Sequence, residues 1–166
     1  MNKYLYEWLV YPDSLTKRLL EKAGDAKVTV LAQEWYSVDW SNQWVSIDSS
    51  EKIWCREIMM LANGNACWYA RSLVPEITYI RCSDFFEQLN VKTLGELIFN
   101  SPFVERISLS HYSINVDTIE YQWLPDAIKP FLSPILWVRF SCLKLHKEFP
   151  FYLVEILLPE VERYHR

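Results

Sequence analysis

IWCREIMMLANGNACWYARSLV, residues 53–74, is the stretch that decides the fold of this chain. Two runs rich in apolar, aromatic and β-branched residues flank Asn63-Gly64-Asn65. An Asn-Gly pair suits a two-residue hairpin turn because both central positions need positive φ. The stretch therefore predicts an antiparallel hairpin, ended by Pro75, which has no N–H to give to a strand ladder. A second hairpin is expected near the other end of the chain, where ILWVRFSCLKL (135–145) and FPFYLVEILLP (149–159) lie on either side of His146-Lys147-Glu148 and Pro159 closes the second run.

Working outward, VTVLAQEWYSV (28–38) and VERISLSHYSI (104–114) have strand composition, and DWSNQWVSIDSS (39–50) reads as a connection or an irregular edge. LTKRLLEKA (15–23) predicts a helix with Asp13 or Ser14 as its cap and Gly24 as its stop. SDFFEQLN (83–90) and TLGELIFN (93–100) predict two further short helices with Ser or Thr caps, and 117–134 reads as a proline-containing loop. Together these give an α+β class: a single domain over 1–166 with about six strands in an antiparallel sheet, covered on one face by short helices, with a buried pocket between the layers.

Composition excludes several functions. A chain of 166 residues that is 51% hydrophobic and 16% aromatic can build one substantial core. A net charge of -4, without clustered Lys and Arg, argues against nucleic-acid binding. No apolar run reaches the roughly 18 residues of a membrane span, and MNKYLYEWLVYPDS (1–14) lacks the layout of a signal peptide. A cytoplasmic monomer is the expectation. Cys55, Cys67, Cys82 and Cys142 show no CxxC spacing and read as core fillers in a reducing compartment. His111, His146 and His165 make no triad pattern, and three glycines are too few for a phosphate cradle. Neither a metal nor a cofactor is expected.

Two charges stand out of place. Arg56 and Glu155 sit in runs that otherwise read as buried strands, and burying either alone costs several kcal/mol. They either pair with each other or a neighbour, or they hold a polar-ended ligand in an apolar pocket. Period two puts Arg56 on one face with Trp54, Ile58 and Met60, and Glu155 with Phe151, Leu153 and Leu157. It leaves open whether those two faces are the same.

DSLTKR (13–18), WCREIMMLANG (54–64) followed by ARSLVP (70–75), TLGELIFNS (93–101), and ILWVRFSCLKL leading to LVEILLPE (153–160) together resemble the bacterial chorismate pyruvate-lyase family, in its order and over nearly the whole chain. The resemblance implies helical flaps closing over a buried site, and conversion of chorismate to 4-hydroxybenzoate and pyruvate without a cofactor, supplying ubiquinone biosynthesis. It implies that Arg56 binds the ring carboxylate, that Glu155 reaches the ring hydroxyl, and that the main-chain N–H groups of Leu15 and Leu94 contact the ligand carboxylate. It also implies that Arg71 lies near the enolpyruvyl carboxylate. Arg106 and Arg139 are rival cations, each expected at the surface or a sheet edge. Ala70 stands where the family commonly has Gly. The alternative is a non-catalytic domain of the related ligand-sensing fold of transcription regulators, binding an aromatic or carboxylic acid.

Overall fold

Asn63 and Gly64 take φ of 51° and 82° in a computed structural model of the chain, which describes residues 1–37 and 52–165. The turn they make joins β2 (Lys52–Ala62) to β3 (Asn65–Pro75) in the predicted antiparallel hairpin. β5 (Ile135–Leu145) and β6 (Phe149–Leu157) form the second hairpin. Its turn places His146 and Lys147 at φ of 54° and 61°, a conformation that costs a side-chain-bearing residue energy. A tertiary contact holds it: the His146 N–H donates to the Phe103 carbonyl at 2.9 Å and the imidazole stacks on the Phe103 ring.

β3 pairs with β6 and joins the hairpins, while β1 (Lys27–Ser37) and β4 (Val104–Asn115) close the two sides, giving a six-stranded antiparallel sheet in the order β1-β2-β3-β6-β5-β4. The connection expected at 39–50 lies outside the described residues.

Six short helices accompany the strands among the described residues: α1 (Lys3–Leu9), α2 (Leu15–Ala23), α3 (Glu76–Arg81), α4 (Ser83–Glu87), α5 (Leu94–Asn100) and α6 (Ile119–Trp123). Ser14, not Asp13, caps α2, and Gly24 ends it at φ 77°. Thr93 caps α5. No described helix is long and apolar enough to cross a membrane.

One sheet face packs under α1, α2, α4 and α5. Trp8, Leu9, Leu15 and Leu19 meet Met60, Trp68 and Leu157 there, and Phe85, Phe86, Leu94 and Leu97 meet Leu143, Leu145 and Phe151. The other face is covered too, because the segment expected as a plain loop contains α6, and Tyr121 and Leu124 pack on Tyr69, Val138, Val154 and Ile156. Burial on both faces explains why β2, β3 and β6 are near-continuous apolar runs without a polar face.

Candidate active site

A cavity of about 380 Å³ lies between the sheet and the starts of α2 and α5. Antiparallel partners share a face, so the strand register settles the question that alternation left open. Ile58, Ala70, Glu155 and Arg139 form one cross-strand row, and Arg56, Ser72 and Leu153 form the next; all seven line the cavity. Ile58, Met60, Trp68 and Leu153 make the walls apolar.

Arg56 and Glu155 do not pair with each other. Glu155 is 6% exposed and accepts a hydrogen bond from Arg139 Nη1 at 2.5 Å. Arg139 Nη2 donates to the main-chain carbonyls of Tyr11 (2.7 Å) and Asp13 (3.2 Å), which lead into α2. At 1% exposure Arg139 is a core residue. Arg106 donates through Nη1 to the carbonyl of Pro12 on the same segment, lines the cavity, and has a buried Nε with no acceptor. Burial and, after it, the Arg139 charge hold the Arg106 guanidinium below its ordinary pKa. Arg139, in the core on β5, therefore lacks the surface or sheet-edge position expected of it, whereas Arg106 does stand on the edge strand β4 but is half-buried and lines the cavity. The segment at Tyr11–Asp13 covers both, and β4 carries a register shift between Arg106 and Ser108 that strict alternation does not anticipate.

Arg56 is 4% exposed and has no carboxylate partner within 4 Å among the described residues; its Nε is buried without an acceptor. Burial alone lowers its pKa. A buried guanidinium whose Nε has no acceptor, set beside apolar walls, is able to receive an anion.

Arg71 corrects the sequence reading. It points to the opposite sheet face, where it pairs with Glu57 at 2.9 Å, donates through Nε to the Tyr69 hydroxyl at 3.0 Å and lies over the Trp123 ring at 4.1 Å from its centroid. Ala70 and Ser72 line the cavity, so strand periodicity sends the residue between them away.

The roof is built by two helix starts. Ser14 Oγ accepts the Lys17 N–H at 3.3 Å and Thr93 Oγ1 accepts the Glu96 N–H at 3.1 Å. The earlier amides, including those of Leu15 and Leu94, have no acceptor within their own helices. Both leucines are buried and line the cavity. The starts approach so closely that a Cβ on Gly95 would lie 2.6 Å from Ser14 Oγ and 3.2 Å from Thr16 Oγ1. A side chain at Gly95 would thus force Ser14 to shift or the two helix starts to part, a constraint that no turn signal in the sequence announced.

Buried cysteines do not add a nucleophile. Burial pushes the thiols of Cys55 and Cys67 up to about 12, so both are protonated at neutral pH. Among the described residues no group of three His, Cys, Asp or Glu side chains is placed to hold a metal ion.

The sequence model of the chorismate lyase family matches residues 1–157. A chorismate pyruvate-lyase of Salmonella gallinarum is 27% identical over 162 residues, covering 96% of this chain and 85% of its own length. One from an Enterobacter species is 29% identical over 154 residues, covering 92% and 81%. Among solved structures, the effector domain of PhnF from Mycobacterium smegmatis has a TM-score of 0.59 at 11% identity, covering 89% of this chain and 90% of that one. The C-terminal domain of the histidine utilization repressor from Pseudomonas syringae has 0.56 at 9%, covering 86% and 95%. At such identity the likeness concerns the fold alone.

Proposed function

The chain belongs to the chorismate lyase family, and from that premise we propose that it is a chorismate pyruvate-lyase releasing 4-hydroxybenzoate and pyruvate. The observation that carries the reading is Arg56, a buried guanidinium without a carboxylate partner among the described residues, in the same apolar cavity as Glu155. Arg56 binds the ring carboxylate, for which its planar fork is suited. The Leu15 and Leu94 amides at the helix starts add donors to a bound carboxylate. Glu155 offers the oxygen not engaged by Arg139 to the ring hydroxyl.

The reaction asks little covalent work of the protein. The ring loses the proton on its hydroxyl-bearing carbon, the bond from the neighbouring carbon to the enolpyruvyl oxygen breaks, and the ring becomes aromatic. The departing enol takes up a proton and becomes pyruvate, so atoms balance without a cofactor. Catalysis then rests on holding a reactive conformer and on fixed charges near the leaving group. The product keeps the ring carboxylate and hydroxyl, and with them the contacts to Arg56 and Glu155. It therefore binds well and inhibits, and opening of the α2 and α5 starts sets its release. We place the enzyme in the cytoplasm, as a monomer feeding ubiquinone biosynthesis.

The test is purified protein with chorismate, following 4-hydroxybenzoate by absorbance and pyruvate by a coupled lactate dehydrogenase. Equimolar products at a rate proportional to protein support the reading. Chorismate binding without release of pyruvate overturns it in favour of a sensing domain.

A further inference from the structure

We propose that Arg106 binds the second carboxylate of the substrate, the one on its enolpyruvyl side chain. The inference rests on the chorismate reading above and assigns a contact that reading left unfilled once Arg71 was found on the far face of the sheet.

Three arginines line the cavity: Arg56, Arg106 and Arg139. Arg139 is committed, its Nη1 to Glu155 and its Nη2 to the carbonyls of Tyr11 and Asp13, so that its charge is compensated inside the protein. Arg106 is different. Its one hydrogen bond among the described residues goes to a neutral carbonyl, that of Pro12, and it has no carboxylate within 4 Å among those residues. The carboxylates that act on it from further away are Glu155, already paired, and Asp13, which is exposed and screened by water.

The charge balance of the cavity follows. Three guanidinium groups line the cavity against Glu155, which is buried, and Asp13, which is exposed, so Arg56 and Arg106 lack a buried counter-charge. A dianion closes that balance and a monoanion leaves one cation bare. The two reach the cavity from opposite sides of the sheet, Arg56 from β2 and Arg106 from β4, with β3, β6 and β5 between them. That arrangement suits a ligand with an acidic group at each end. Chorismate has two carboxylates and 4-hydroxybenzoate has one, so Arg106 distinguishes substrate from product while Arg56 serves both. It also stands where negative charge gathers on the departing enolate, and a fixed cation there lowers the barrier to bond breaking.

The experiment pairs two ligands on one variant. In Arg106→Gln, kcat/KM for chorismate should fall by at least about 30-fold, the loss expected when a charged partner of a buried carboxylate is removed. The Kd for 4-hydroxybenzoate, read by isothermal titration, should stay near the wild-type value. Arg106→Lys keeps the charge without the fork, and its kcat/KM should lie between the two; it reads the same contrast if the Gln variant does not fold. An unchanged kcat/KM overturns the proposal. So does a parallel loss of 4-hydroxybenzoate affinity, which would mean that Arg106 serves only to tether the segment at Pro12. Failure of the underlying reading has a separate signature, since wild-type protein would then release no pyruvate.

Discussion

Gly95→Ala tests whether the close approach of two helix starts is what seals the cavity. The added methyl would lie 2.6 Å from Ser14 Oγ and 3.2 Å from Thr16 Oγ1, well inside an ordinary contact of about 3.5 to 4.0 Å. Ser14 cannot turn away freely, because its hydroxyl caps α2 by accepting the Lys17 N–H, and losing such a cap costs about 0.5 to 2 kcal/mol. Alanine in a helix is in turn more stable than glycine by up to about 1 kcal/mol. The two effects oppose each other, so the melting temperature of the free protein should change little while α2 and α5 move apart by roughly an ångström. Displacement on that scale can cost about 100-fold in rate, and the Leu15 and Leu94 amides are the groups displaced. Thermal melts with and without 4-hydroxybenzoate, together with chorismate turnover, give three readouts: near-normal stability of the free protein, weakened ligand stabilisation and lowered kcat/KM. Adding Ser14→Ala removes the nearest obstructing atom, so the double variant should recover much of the binding while losing the cap. Wild-type product affinity and turnover in Gly95→Ala would refute the reasoning.

Arg56→Met removes a buried charge that has no carboxylate partner among the described residues, so it should abolish turnover and 4-hydroxybenzoate binding while leaving the unfolding midpoint in urea unchanged or higher; a destabilised but active variant would contradict the site. Glu155→Ala strands the Arg139 charge at 1% exposure, which should cost about 3 to 5 kcal/mol of stability as well as rate. Adding Arg139→Met should restore stability without activity, and a double variant as unstable as the single one would count against the pair. The folded-state pKa of Cys55 and Cys67 is raised from 9.0 to about 12. The stability tied to the neutral thiols is therefore complete below about pH 9 and is lost as pH rises from 9 toward 12. Melts from pH 8 to 11 should show a shallower alkaline decline in Cys67→Ala than in wild type, and identical slopes would refute the assignment.

The hairpins and α2 were legible because their signals are local: Asn63-Gly64 must take positive φ, and Ser14 and Gly24 are a cap and a stop. α1 was not foreseen. It is seven residues long and owes its place to Trp8 and Leu9 packing against the sheet, a tertiary gain with little local signature. Arg56 and Glu155 were visible as charges inside apolar runs. Arg106 was not, since β4 is largely exposed and alternating, and an arginine there reads as an ordinary solvated residue. What buries Arg106 and Arg139 is the chain at Tyr11–Asp13, more than ninety positions away, with carbonyls that no side-chain pattern encodes. Arg71 was placed near the enolpyruvyl carboxylate by the resemblance alone, whereas period two turns the residue between the cavity-lining Ala70 and Ser72 to the other face.

Both sheet faces carry arginines, and the faces differ in how those charges are answered. On one face Arg71 is answered by Glu57, Tyr69 and Trp123, so that its charge is compensated inside the protein. On the other, Arg139 is answered by Glu155 while Arg56 and Arg106 have no such carboxylate among the described residues. Similar folds at 9 to 11% identity occur in regulator effector domains, so the sheet and its helical cover do not decide between holding a ligand and converting it. That decision falls to side chains. One buried cation suffices to anchor an acid, whereas two on opposite sides of a cavity can hold both ends of a molecule whose breakable bond lies between them. On the proposed reading, once the bond breaks neither half keeps both contacts: the aromatic product keeps the one to Arg56 and loses the one to Arg106, so the second cation favours the intact substrate over the product.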